Sequence, residues 1–221
     1  MKLQGISRGE AIQQRARVAG LLEVEYHDPD CKTEAIYSYR DSRGKLIKQV
    51  LRYPDKKFVQ RRPTSNGWVY DTKGVRPTLY NLPRLEFART VVITEGEKDA
   101  DRVMNLKLLG ATRSQIVATT SGGSDTWLDK LAEHLRGKCV IVMPDSDNAG
   151  VKYKDEIVAS LEKRQIQHCV VTFDGFKDVS EYLDAAHTAA ELARRIEDEW
   201  ANTVGKGNVL YSQPLFDNIS I

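Results

Sequence analysis

The strongest constraint on the fold is a pattern beginning at Thr90, in which short apolar runs alternate with segments of helical periodicity. The apolar runs are TVVIT (90–94), QIVATT (115–120), KCVIVMP (138–144) and HCVVTF (168–173). Helices are predicted between and after them, at 97–109, 126–137, 149–164, 180–186 and 189–200. Because parallel strands need long crossover connections, this order predicts an α/β fold, a mainly parallel sheet with helices on both faces.

The segment before this pattern has the features of antiparallel strands. AIYSYR (35–40) and KLIKQVLRY (45–53) flank the turn-forming residues DSRG, which predicts a β-hairpin. Two further short strands are expected at KKFVQRRP (56–63) and GWVYDT (67–72), with turn residues between them. The sequence thus predicts a small β-rich subdomain ahead of the α/β part.

Three regions follow from these patterns. Residues 1–87 are predicted to contain an N-terminal arm, within 1–24, and the β-rich subdomain. Residues 88–200 form the α/β domain, and 201–221 form a tail of little periodicity. Hydrophobic residues make up 41% of the chain, which suits a protein that buries a core.

The cysteines and the apolar segments indicate the cellular compartment. Cys31, Cys139 and Cys169 form no CxxC pair and no disulfide framework, so no zinc site is expected. No stretch approaches the roughly 20 apolar residues of a membrane span, and the N-terminus lacks the apolar core of a secretion signal. We therefore expect a reduced, cytoplasmic protein that does not enter a membrane.

Charge is distributed unevenly along the chain. Residues 1–90 contain 18 Lys and Arg against 10 Asp and Glu, whereas residues 91–221 contain 15 against 21. The basic excess is densest in the hairpin region, where charged side chains alternate with aromatic ones, a composition that suits single-stranded nucleic acid. The alternative is a solvated strand face. The candidate nucleic-acid-binding residues are Arg40, Lys45, Lys48, Arg52, Lys57, Arg61 and Arg62.

Acidic residues follow three of the predicted strands: Glu95 the first, Asp145 and Asp147 the third, Asp178 the fourth after a loop. In open α/β sheets, ligands bind at the carboxyl ends of strands. Asp145 and Asp147 would point to the same side, roughly 7 Å apart, and repel by about 2 kcal/mol at an effective dielectric near 20. A hard cation such as Mg²⁺ offsets this repulsion. The alternative is that both residues cap the next helix.

Two motifs give the chain a resemblance to a known family. VVITEGEKDA (91–100) and VIVMPDSDNAG (140–150) resemble the TOPRIM domain, a metal-binding module of bacterial-type primases, topoisomerases, OLD-family nucleases and recombination proteins. KDVSEYL (177–183) resembles the KDPDEYL run of primases, which favours the primase-like branch. The resemblance covers about residues 88–200, and residues 34–85 resemble the segment before TOPRIM in phage- and plasmid-borne primase-like proteins.

The resemblance implies a role for each matching residue. Glu95 would be a general acid/base or a metal-linked carboxylate, and Asp145 and Asp147 would be metal ligands. Asp99 and Asp178 match further acidic residues of primases and would also bind the metal, and the implied ion is Mg²⁺, for which Mn²⁺ can substitute. Candidates for cradling phosphates are Lys98, Gly122, Gly123 and Lys177, for which the alternatives are solvated lysines and a plain turn.

The sequence departs from the primase pattern in two respects. Ser180 stands where the primase run has its second acidic residue, which removes one anionic ligand. The cysteines of an N-terminal zinc ribbon are missing, and only about 85 residues precede the TOPRIM-like part. Both departures indicate that the chain carries a less complete set of primase features than the family pattern.

The expected function is Mg²⁺-dependent nucleotidyl transfer on single-stranded DNA by a primase-like protein, with nucleotides as substrates. Such a protein would belong to the replication module of a phage or mobile element and act beside a separate helicase or polymerase. One alternative is a metal-dependent nuclease of the same fold. Another is a nucleic-acid-binding accessory protein whose acidic site is weak or idle.

Overall fold

Two four-stranded sheets organise the residues that the computed structural model describes, namely 33–106, 108 and 116–204. These residues fall into two units: the smaller contains 33–36 and Leu51–Val59, the larger Tyr37–Val50 and the remainder. The predicted arm at 1–24 and most of the predicted tail lie outside the described residues. The proposed region boundaries at 87/88 and 200/201 stay predictions.

The first sheet consists of β1 (Ala35–Arg40), β2 (Leu46–Arg52), β3 (Phe58–Thr64) and β4 (Gly67–Val69), in that order. The turn between β1 and β2 forms because the Asp41 carboxylate accepts hydrogen bonds from the backbone N–H groups of Arg43 and Lys45, each 2.9 Å long. Gly44 adopts a φ of 84°, which an L side chain rarely adopts. The predicted hairpin is therefore confirmed, and β3 pairs antiparallel with β4.

The second sheet consists of β5 (Thr90–Thr94), β6 (Ile116–Thr119), β7 (Cys139–Met143) and β8 (His168–Val170). Its order is β6-β5-β7-β8, and every neighbouring pair is parallel. β5 lies in the interior of the sheet and is buried along its whole length. The predicted α/β architecture with a parallel sheet is therefore confirmed.

Helices connect the strands close to the predicted positions. They are α1 (Leu82–Leu85), α2 (Glu97–Asn105), α3 (Asn148–Glu162), α4 (Val179–Asp184) and α5 (Ala189–Val204). The helix predicted at 126–137 is instead a 3₁₀ helix over Asp129–Leu135. The turn that precedes this 3₁₀ helix is stabilised by a 2.6 Å hydrogen bond from the Thr126 hydroxyl to the Gly123 carbonyl oxygen. No helix within the described ranges has the length and apolarity to span a membrane.

The core lies against both faces of the second sheet. On one face, Val91, Ile93 and Val142 pack with α3 and the 3₁₀ helix in a single buried cluster. Because successive side chains of a strand alternate between faces, Val92 and Ile141 are buried on the other face, which α2 and α5 cover. Helices on both faces hold the strand ends rigidly, which matters for the side chains that follow them.

We expect Ile157→Ala, in the middle of α3, to lower the free energy of unfolding by about 2–5 kcal/mol. Ile157 is fully buried, so its removal leaves a cavity between α3 and the sheet. Val151→Ala in the same helix is the control, since Val151 is 46% exposed and its change should stay within about 0.5 kcal/mol. Urea unfolding of both variants measures the difference, and equal losses would contradict this packing.

Candidate metal centre

The parallel register brings acidic residues to one edge of the second sheet. Thr94, the last residue of β5, lies opposite Met143, the last residue of β7. The chain therefore leaves both strands at the same level, and Glu95 and Asp145 follow within two residues. The helices that come next begin at this edge, so their first turns face it as well.

Three carboxylates meet at this edge and form what we call the acidic cluster: Asp99, Asp145 and Asp178. One oxygen of each lies within 4.8 Å of one oxygen of each of the others. Asp99 stands in the first turn of α2, and Asp178 is the N-cap of α4, where it accepts a 2.8 Å hydrogen bond from the Glu181 N–H. Three separate elements thus supply the three groups.

Glu95 lies beside the acidic cluster and is half-buried. Its Oε2 atom is buried and has no hydrogen-bond partner among the described residues. Burial, followed by repulsion from Asp145 and Asp147, raises the pKa of Glu95 to about 7. A carboxyl group with this pKa can accept or release a proton near neutral pH, as a general acid/base must.

Asp99 is buried, and its environment also favours the protonated form. Burial is the main reason that its pKa rises to about 6, and the charges of Asp178 and Asp145 add to the effect. A hydrogen bond from the hydroxyl of the buried Ser180 to Asp99 Oδ1 acts in the opposite direction. Ser180 therefore contributes a neutral donor at the position where the primase run has its second acidic residue.

Asp145 is nearly buried and forms an ion pair with Lys177, whose Nζ lies 3.0 Å from Asp145 Oδ2. Burial raises the pKa of Asp145, and the ammonium group of Lys177 opposes that rise. The backbone connects the same two segments, because the Ser146 N–H donates to the Lys177 carbonyl oxygen at 2.8 Å. The loops after β7 and β8 are therefore tied together.

Asp147 differs from the other predicted ligands, because it is exposed and caps α3. Its Oδ1 accepts a 2.9 Å hydrogen bond from the Gly150 N–H. The capping role that was the alternative at the sequence level is therefore present, and Asp147 is not part of the acidic cluster. Metal binding by Asp147 stays a prediction.

Gly150 allows the start of α3 to approach Asp145 closely. A Cβ atom at this position would lie 2.8 Å from the carbonyl carbon and 2.9 Å from the nitrogen of Asp145. Real Cβ atoms do not come so near to backbone, so any side chain would displace either the helix or the loop that carries Asp145. Close packing between α3 and the Asp145 loop therefore explains why a glycine occupies this position of the DSDNAG motif.

The Gly122-Gly123 loop borders the same edge. The Thr120 hydroxyl donates to the Glu95 carbonyl oxygen at 2.6 Å and accepts from the Gly122 N–H at 3.0 Å. Gly122 and Gly123 have φ angles of 102° and 128°, which require glycine. The loop is therefore fixed next to Glu95, and Lys98 in α2 is exposed. Phosphate binding by these residues stays a prediction.

Sequence reasoning missed a buried contact between the hairpin and α2. The Tyr39 hydroxyl donates to Glu97 Oε1 at 2.7 Å, and both residues are buried. The Lys48 ammonium lies 4.3 Å from the centre of the Tyr39 ring. Gly122 permits this arrangement, since a Cβ there would lie 2.8 Å from the Tyr39 hydroxyl oxygen. No local pattern signals a contact between residues this distant in sequence.

The predicted nucleic-acid-binding residues have differing environments. Lys45 is exposed, and Lys48 is half-buried and donates to Gln60 at 3.1 Å. Arg61 is buried, donates to Gln49 at 2.9 Å and stacks on the Trp68 ring at 4.0 Å, so its role in this structure is packing. Contact between Arg61 and nucleic acid stays a prediction, which its burial does not favour.

The remaining arginines of that group are engaged locally. Arg40 donates to the Gly44 carbonyl oxygen at 3.1 Å within the hairpin turn, and Arg62 pairs with Asp71 at 2.7 Å. In the smaller unit, Arg52 pairs with Glu34 at 3.0 Å and Lys57 is exposed. Contact between any of these side chains and nucleic acid stays a prediction.

The donor set suits a hard divalent cation. All three members of the acidic cluster offer carboxylate oxygens, the ligands that Mg²⁺ prefers, and the cluster includes neither Cys nor His. The buried Oε2 of Glu95 lacks a hydrogen-bond partner within the part of the chain that the structure describes, and a nearby cation or its bound water would supply one. The residues present therefore fit the ion that the sequence resemblance implied.

Comparison with known families confirms the resemblance for the α/β part. Residues 92–183 match a family model described as Toprim-like. The matched segment contains Glu95 and the whole acidic cluster. No curated protein matches the chain.

Solved structures of primases share the fold. The primase fragment of the bacteriophage T7 primase-helicase protein is 22% identical, with a TM-score of 0.54, covering 74% of this chain and 60% of that one. The DnaG catalytic core is 18% identical, with a TM-score of 0.55 and coverages of 84% and 59%. The Aquifex aeolicus primase, with zinc-binding and RNA polymerase domains, is 19% identical, with a TM-score of 0.59 and coverages of 86% and 49%.

These similarities establish a shared fold, since each identity is below 25%. The chain spans 60% or less of the length of these structures. The predicted primase-like fold is therefore confirmed, and the acidic cluster lies within it.

We expect the protein in EDTA to lose stability as pH rises from about 5 to 7. The pKa of Glu95 rises from 4.5 to about 7 on folding, so the folded state binds more protons than the unfolded state in this window, and deprotonation disfavours folding. Glu95→Gln removes this effect. The variant should be more stable than the wild type at pH 8, with a smaller difference at pH 5.

Urea unfolding at several pH values measures this difference, which isolates Glu95 because both proteins share every other titrating group. A difference that stays constant between pH 5 and pH 8 would show that Glu95 titrates normally.

We expect Gly150→Ala to weaken divalent-metal binding and to lower stability by about 1–3 kcal/mol, because the added Cβ overlaps the backbone of Asp145. Ala149→Ser is the control, since Ala149 is the exposed preceding residue of the same helix. Mn²⁺ titration and urea unfolding measure both effects. Normal Mn²⁺ affinity in Gly150→Ala would mean that Asp145 tolerates a shift of its loop.

Proposed function

We propose that this protein is a primase-like enzyme that carries out Mg²⁺-dependent nucleotidyl transfer on single-stranded DNA. The observation that supports the proposal most directly is the acidic cluster, with one oxygen of each carboxylate within 4.8 Å of the others, at the carboxyl edge of a Toprim-like sheet. Clusters of this kind cost electrostatic energy unless a cation binds. The primase fold of the solved relatives agrees with the proposal.

In this proposal, Asp99, Asp145 and Asp178 hold the ion, for which Mn²⁺ can substitute. A bound divalent ion stabilises negative charge on the phosphate oxygens of a nucleotide. Glu95, whose pKa is about 7, would accept the proton of the attacking 3′-hydroxyl group, whose oxygen forms a bond to the α-phosphorus of the incoming nucleotide as the bond to pyrophosphate breaks. Asp147 orients the start of α3 through its cap and adds negative charge next to Glu95.

The substrate-binding residues are assigned by charge and exposure. Lys98 and the Gly122-Gly123 loop lie at the edge of the sheet where the phosphates of a nucleotide would approach. Lys45 and Lys48 on the hairpin, and Lys57 in the smaller unit, are the predicted contacts to the DNA backbone. We further propose that the protein acts in the cytoplasm beside a separate helicase or polymerase.

A second candidate function is that of an accessory protein that binds nucleic acid with little catalysis. The observation in its favour is Ser180, which is buried and donates its hydroxyl to Asp99 in place of an acidic side chain. A site with fewer anionic ligands binds divalent ions more weakly. Cleavage of DNA is the third outcome, because the same carboxylates can activate water.

We expect the wild-type protein, incubated with single-stranded DNA, labelled nucleotides and Mg²⁺ or Mn²⁺, to synthesise oligonucleotides. Glu95→Gln should reduce the rate by about 10²–10⁴-fold, the usual contribution of a general base, and Asp145→Asn should abolish synthesis. Asp125→Asn is the matched control, because Asp125 is an exposed acidic residue that pairs only with Lys152 among the described residues.

Gel analysis of the labelled products distinguishes the three functions. Products longer than the nucleotides support the primase assignment, and shortened DNA supports a nuclease. DNA binding without either product, unaffected by Asp145→Asn, supports the accessory protein and contradicts the first proposal.

A further inference from the structure

The ammonium group of Lys177 interacts electrostatically with four carboxylates of the candidate site. Its Nζ is 3.0 Å from Asp145 Oδ2. Its charge also acts on Asp147, Asp178 and Glu95. An ammonium group in this position carries out part of the charge compensation that a divalent cation would provide.

The backbone of Lys177 is fixed, whereas its side chain has room to move. The Lys177 carbonyl oxygen accepts from the Ser146 N–H at 2.8 Å, and the Lys177 N–H donates to the Glu181 carboxylate. The preceding Phe176 packs edge-on against Tyr182, with ring centres 5.5 Å apart. The Lys177 side chain, however, is 54% exposed. The ammonium group can therefore leave Asp145 by rotation of its four-carbon stem, without movement of the loop.

We propose that Lys177 is an internal counter-cation that a divalent ion displaces from Asp145, and that the displaced ammonium group binds a phosphate of the nucleotide. This inference rests on the proposed function, because it requires a divalent ion at the acidic cluster. The Asp145 side chain is only 11% exposed, so a metal ion and an ammonium group on it would repel each other with little screening by water.

If a divalent ion displaces Lys177 from Asp145, removal of the Lys177 charge should change the affinities for Mn²⁺ and for ATP in opposite directions. Lys177→Met keeps the length of the side chain and removes its charge. Mn²⁺ should bind roughly tenfold more tightly, since the ion no longer competes with an ion pair. At saturating Mn²⁺, ATP should bind roughly tenfold more weakly, since a phosphate loses its charged partner. A purely structural role for Lys177 would weaken both.

The experiment measures free Mn²⁺ by electron paramagnetic resonance and ATP binding by calorimetry. Lys152→Met is the matched control: Lys152 also pairs with an aspartate, Asp125, at 3.1 Å, and both of its affinities should stay within about twofold of wild type. Lys177→Arg retains the positive charge and should not bind Mn²⁺ more tightly than the wild type. Lys177→Gln replaces Lys177→Met if the latter fails to unfold cooperatively.

Each result has a definite meaning. Tighter Mn²⁺ binding with weaker ATP binding supports the inference. Unchanged or weaker Mn²⁺ binding in Lys177→Met overturns it while leaving the proposed function intact, and unchanged ATP binding overturns the phosphate role. A wild type that binds no more Mn²⁺ than Asp145→Asn does contradicts the proposed function itself, and the inference with it.

Discussion

Repulsion between carboxylates at one edge of a parallel sheet is the constraint on which the site depends. Burial is the main reason that the pKa values of Glu95 and Asp99 are raised, and repulsion from neighbouring carboxylates adds to the rise. The fold offsets it with the ammonium group of Lys177 and the hydroxyl of Ser180. A cluster of carboxylates that the protein's own cations compensate only in part suits an external cation, and the proposed metal-dependent chemistry rests on this property.

The rest of the fold keeps these carboxylates close together against their mutual repulsion. The register of β5 against β7 sets Glu95 and Asp145 at the same level, and the absence of a side chain at Gly150 lets α3 begin close to Asp145. On the other side, the buried bond from Tyr39 to Glu97 joins the hairpin to the first turn of α2, which also carries Asp99. Elements far apart in sequence thus fix the positions of the carboxylates relative to one another.

Local patterns predicted much of this. Apolar runs and helical spacing identified the strands, because a strand that is buried on both faces consists almost entirely of apolar residues. The position of Glu95 and Asp145 at strand ends followed from these assignments. The 3₁₀ helix at Asp129–Leu135 was predicted as an α-helix, because the spacing of its apolar residues suits either kind of helix. Arg61 was predicted to bind nucleic acid from its charge, and charge alone does not reveal the Gln49 and Trp68 side chains that contact it.

The sequence by itself determined the alternation of strands and helices, the basic hairpin, and the residue types that can bind a divalent ion, since each depends on neighbours close in the chain. The tertiary structure alone decided which carboxylates meet. Asp99 and Asp178 join Asp145, whereas Asp147 turns to cap α3, because the directions of helix starts and side chains depend on packing across the whole sheet. The placement of Lys177 on Asp145 was decided in the same way, by two loops that adjacent parallel strands bring together.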